Sequence, residues 1–189
     1  MVVRAEPVTA EGVEFSDELG GFVLVSVTGS GRLDDPFVIV EEITDGGSAI
    51  LTVRGFDTTF GNRARTNHFS GMAVTKIVRN ATDQTWSDFT MELQEVLGVD
   101  SPYGDGLSFG QGPDSFRTVA SDRYAHASVV DEPRDGIRFS EGSIRPGESV
   151  SFSFVITENS PRSQFFLIQR RLEPVAGPGP AVHSLASAE

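Results

Sequence analysis

The stretch SVSFSFVIT at 149–157 decides the fold. Val150, Phe152, Phe154 and Ile156 fall on every second position, with Ser151, Ser153 and Thr157 between them. An extended chain turns successive side chains to opposite faces, so this spacing gives one dry face and one wet face. A helix would scatter the same four apolar groups around its axis. The segment before it, SIRPGES, is a turn: Pro146 presets a negative φ and Gly147 accepts a positive one, as the central pair of a type II turn requires.

Outward from that strand the same chemistry repeats. GFVLVSVTG (21–29), PFVIVEEIT (36–44) and SAILTVRGF (48–56) are short runs rich in Val, Ile and Phe, separated by SGRLDD and DGG. They are predicted to be consecutive antiparallel strands. The first two are nearly continuous in apolar residues, which implies burial on both faces or an interface over one of them. HFSGMAVTKIVRN (68–80) and TWSDFTMELQEV (85–96) follow, the latter alternating Phe89, Met91 and Leu93 with Asp88, Thr90 and Glu92. SQFFLIQRRL (163–172) is the last. No helix longer than about two turns is expected, because Gly or Pro interrupts almost every window.

About eight strands with turn signals every 8–12 residues fit an all-β, antiparallel two-sheet sandwich of immunoglobulin-like or jelly-roll type, with a closed barrel as the lesser alternative. Phe dominates the aromatics, 14 against one Trp and two Tyr, which suits sandwich filling better than a sugar-stacking platform. The expected organisation is an N-terminal arm over 1–20, a sandwich over 21–172 with 57–67 as the place where it would subdivide, and a Pro/Gly-rich tail over 173–189. A long Gly-rich loop is expected around 97–135.

Composition narrows the partners. Fifteen Lys and Arg against 27 Asp and Glu leave a formal charge of −12, a surface that repels phosphate backbones, so nucleic acid and anionic membranes are not expected partners. Absence of cysteine removes disulfides, thiolate metal sites and cysteine nucleophiles together. The start MVVRAEPVTAEG lacks the apolar core of a signal peptide, and no window of about 18 apolar residues offers a membrane span.

The string GLSFG (106–110) matches the pattern of a hydrolase nucleophile elbow. An elbow needs a strand entering the serine and a helix leaving it, yet VDSPYGD precedes and QGPDSF follows, both loop sequences. A bend in which Leu107 and Phe109 tuck inward explains the letters better. His68, His126 and His183 show no metal-ligand spacing, and no catalytic residue is assigned; the chain is not expected to be an enzyme. In RNAT, Asn80 and Thr82 are expected to bond to local backbone.

Two binding expectations remain. Asp100 and Asp105 in VDSPYGDG, with Asp131 and Asp135 in VVDEPRDG, put hard oxygen ligands of the kind calcium takes into Gly- or Pro-containing loops. The alternative is Asx turns whose carboxylates cap their own backbone, and neither loop has EF-hand spacing. Trp86, Tyr103 and Tyr124 are the aromatic side chains on which a sugar would stack. No other cofactor is expected.

VTKIVRNATDQTWSDFTMELQE (74–95) also resembles domains of bacterial exosortase-sorted (PEP-CTERM type) exported proteins, and the similarity continues through DGLSF (105–109), DGIRFSEGSIRPGESVSFSFVIT (135–157) and FFLIQRRLEP (165–174). The resemblance implies a non-catalytic, Ig-like extracellular sandwich and transfers no catalytic residue. The C-terminal LEPVAGPGPAVHSLASAE departs from that family's sorting signal, which has a membrane helix and basic residues after Pro-Glu-Pro. The expected role is therefore a structural subunit, extracellular, cell-surface or virion, that associates with copies of itself or other surface proteins through strand edges and terminal arms. The alternative is a carbohydrate- or calcium-binding surface module.

Overall fold

A computed structural model describes residues 6–110 and 119–172. Thirteen strands run in chain order: β1 (Val8–Ala10), β2 (Val13–Ser16), β3 (Phe22–Thr28), β4 (Phe37–Ile43), β5 (Ala49–Arg54), β6 (Ser70–Asn80), β7 (Asp88–Gln94), β8 (Leu107–Phe109), β9 (Ala120–Ser121), β10 (Tyr124–Val130), β11 (Gly136–Gly142), β12 (Ser149–Glu158) and β13 (Gln164–Leu172). A single 3-10 turn at Tyr103–Asp105 is the helical element among the described residues. Two sheets form, one of order β1-β2-β5-β13-β7-β11-β10 and one of order β3-β4-β6-β12-β8, with β9 also on β12. They pack as a sandwich, as the alternation at 149–157 requires.

β12 organises the smaller sheet. It pairs antiparallel with β6 along its whole length, from Ser149 opposite Arg79 to Glu158 opposite Ser70. Val150, Phe152, Phe154 and Ile156 are all buried, as their period implies. The turn before β12 closes as expected: Glu148 N–H donates to the Arg145 carbonyl at 3.0 Å, and Gly147 sits at φ 83°.

The three strands expected to be consecutive and antiparallel divide between the layers. β3 and β4 do pair antiparallel. β5 crosses to the other sheet between β2 and β13, turning Ala49, Leu51 and Val53 into the core from the opposite side. β4 then lies parallel to β6, because the excursion through β5 returns the chain in the original direction.

Residues 8–16, expected to be part of an arm, fold into the larger sheet as β1 and β2, and Val13 and Phe15 are fully buried. The expected loop at 97–135 contributes β8, β9 and β10. Phe60, from 57–67, joins the same core cluster as the residues on either side of it. The expected tail at 173–189 and His183 lie outside the described residues.

Phe fills the core in three patches, one of them Phe109 against Phe154 at 5.6 Å. Phe152 is ringed by Phe139, Phe89 and Tyr124 with centroids at 4.5, 4.8 and 6.1 Å. Phe37 meets Phe15 at 5.2 Å and Phe60 at 5.9 Å. Such stacked, tilted and edge-on pairs contribute beyond their buried area.

Candidate functional site

Three places are candidates for chemistry or recognition: the loops holding the expected ligands, the interior between the sheets, and the sheet borders.

Backbone bonds bring the two Asp loops together. Asp135 N–H donates to the Ser101 carbonyl at 2.8 Å, and Tyr103 N–H to the Asp131 carbonyl at 3.2 Å. Asp105 accepts from its own neighbourhood, from the Leu107 amide at 3.0 Å and from the Ser101 hydroxyl, as in an Asx turn. Arg134 stands between Asp100 and the buried Glu92, 3.7 Å from each, and Arg170 reaches Glu92 at 2.7 Å. Asp135 is fully buried. Among the described residues no three His, Asp or Glu side chains converge in a way that could hold a metal ion.

The aromatic residues separate. Trp86 is buried, its indole N–H donating to Thr82 Oγ1 at 3.3 Å, with the Arg171 guanidinium 5.6 Å from its ring. Tyr124 is buried and stacks on Phe152 at 6.1 Å. Tyr103 alone of the three is exposed, at 38%, beside His68. Trp86 and Tyr124 thus belong to the core, where large apolar faces are worth most, and the three do not form a stacking platform.

Ser108 lies inside β8, opposite Thr157 of β12, and is fully buried. It is not at a strand-to-helix turn, while Leu107 and Phe109 tuck into the core as expected. Asn80 is buried too: its Oδ1 accepts from the Thr82 amide at 3.0 Å, and its Nδ2 donates to the carbonyls of Gln84 at 2.8 Å and Ile144 at 3.1 Å.

A carboxylate group missed in the sequence lies where β12 ends. Glu158 is almost fully buried, and its Oε1 accepts from the Ser160 amide at 2.7 Å. Burial, reinforced by the negative charges of Glu95 and Asp105, pushes its carboxyl up to about 7. Glu95 is raised for the same first reason and pairs with Arg162.

The interior holds a second group that was missed. Glu41 on β4 and Lys76 on β6 are fully buried and in contact as an ion pair. Gln169, also fully buried, reaches them from β13 of the opposite sheet, its Nε2 3.4 Å from Glu41 Oε2. Burial holds the Lys76 ammonium below its usual range, against the pull of Glu41. The sequence signal was there: Phe37, Ile39, Glu41, Ile43 and Met72, Val74, Lys76, Val78 each place one charge in an otherwise apolar inward row.

Two of the sheet borders are long. β3 ends the smaller sheet and β10 the larger, each of seven residues. Their sequences, FVLVSVT and YAHASVV, contain no Lys, Arg, Asp, Glu or Pro. Proteins ordinarily blunt such borders with those residues. β3 carries a bulge between Leu24 and Ser26, and Leu24 N–H is taken by Asp17 Oδ2 at 2.9 Å, leaving Val23 and Val25 facing out at 47% and 54% exposure. β10 pairs with β11 in regular register from Tyr124 opposite Gly142 to Val130 opposite Gly136. Among the described residues its other side is a sheet edge.

No helix among the described residues is long and apolar enough to cross a membrane. No protein-family model, curated protein or solved structure matches the chain.

Proposed function

We propose that this chain is a non-catalytic structural β-sandwich subunit, extracellular or virion, that associates with copies of itself through strand borders. The observation that carries this reading is β10, a seven-residue border without a formal charge on a molecule whose net charge is −12. Unpaired N–H and C=O groups along such a border are a template for another strand. Two β10 strands pairing antiparallel would continue the larger sheet across two molecules. β3 borders the other sheet on the opposite side, next to β1, so association there would extend a pair into a row. Residues 8–16 are used within the molecule's own sheet, so the borders, more than the N-terminal arm, supply the contacts.

The test is sedimentation velocity with negative-stain imaging across a dilution series, for the native chain and for H126K/V130K, which places two cations on the exposed face of β10. The native chain is expected to associate and the variant to remain monomeric with unchanged Tm. A native chain monomeric at every concentration, or a variant that associates equally, overturns the reading.

A further inference from the structure

We propose that Lys76 and Glu41 condense into an intramolecular amide, a covalent cross-link between β4 and β6 inside the core. Both side chains are fully buried and in contact. They project inward from adjacent parallel strands, Lys76 lying opposite Ile39, two residues before Glu41. The flanking inward residues Ile39, Ile43, Val74 and Val78 are buried apolar groups, and the Phe22 ring lies 5.6 Å from Nζ. An ion pair in such surroundings carries a desolvation cost that its attraction only partly offsets. A neutral amide in its place removes both charges.

The arrangement supplies what amide formation needs. Burial of both groups disfavours the charged pair, and the step runs from its neutral form, the Lys76 amine against the Glu41 carboxylic acid with the proton on Oε1. The Nζ lone pair attacks Cδ and the N–C bond forms. Gln169 Nε2, 3.4 Å from Oε2, donates toward the oxygen that becomes negative in the tetrahedral intermediate. A proton moves from nitrogen to Oε1, the C–Oε1 bond breaks, and one water departs. Amine and acid give amide and water, with no oxidant, reductant or cofactor. Folding fixes the two groups in contact, and an effective molarity on the order of 10⁵ M or more replaces a bimolecular encounter.

The experiment is intact-mass spectrometry of the purified, folded chain followed by tryptic mapping. The native chain is expected about 18 Da, one water, below its sequence mass. The amide blocks cleavage after Lys76, so residues 33–54 and 66–79 are expected as one branched peptide. The K76M variant is expected at full mass and with a lower Tm. A native chain at full sequence mass that is cleaved after Lys76 overturns the proposal. So does a loss of about 17 Da with the link on Gln169, because ammonia would then be the leaving group and Glu41 its proton carrier. Since the native mass alone decides, a variant that fails to fold leaves the test intact. The outcome is also independent of whether the chain associates.

Discussion

Single residues carry polar groups into places where leaving them unpaired or charged is expensive, and the molecule treats them differently. Asn80 shows the settled case, with its buried amide spent on three backbone partners around the corner between β6 and β7. The expectation that Asn80 and Thr82 bond locally holds, because the short amide reaches the backbone two residues on. Glu158 shows the unsettled case. Its raised folded value, about 7 against an ordinary 4.5, means that the folded chain prefers the protonated carboxyl. That preference stabilises the fold fully below about pH 4 and is lost as pH rises through 7, when the buried group must ionise beside Glu95 and Asp105. The loss is about 1–3 kcal/mol. E158Q keeps an acceptor for the Ser160 amide without the charge. Its Tm is expected to fall less than the native Tm between pH 5 and pH 8; parallel curves would show that Glu158 ionises freely in the fold.

At the scale of elements, legibility followed the length and purity of the alternation. Segment 149–157 has four large apolar groups in phase and appears as β12 over Ser149–Glu158. β1 and β2 are three and four residues long, too short for a period to show, so their sequence has the look of an arm. β10 reads YAHASVV, and its inward positions after Tyr124 are Ala127 and Val129, side chains too small to signal a buried face. The split of β4 from β5 could not be read at all, because an inward face looks the same from either layer. The turn was legible because Pro-Gly fixes two φ values. Gly147 at φ 83° has open space where a Cβ would sit, so Gly147→Ala meets conformational strain alone. The expected cost is about 1 kcal/mol, a fall in Tm of about 2–4 °C in a chain of this size. An unchanged Tm would show that the turn relaxes to another type.

For the whole molecule, the candidate sites divide by what folding did with them. Sequence separation hides which loops meet: backbone bonds join the loop of Asp100 and Asp105 to that of Asp131 and Asp135, and Arg134 pairs with Asp100. The aromatic candidates went mainly to the core, since Trp86 and Tyr124 contribute more to a Phe-filled interior than to a surface. The borders could not be recognised before the sheet order was known: the same uncharged strand is ordinary at a sheet's centre and adhesive at its rim.

The proposed association makes β10 such an adhesive rim. Amide hydrogen exchange measured residue by residue at low and high protein concentration reads that rim strand by strand. Protection confined to Tyr124–Val130 is expected to rise with concentration, joined at higher concentration by Phe22–Thr28. Exchange at Tyr124–Val130 that is the same at every concentration, or new protection appearing elsewhere, would contradict it.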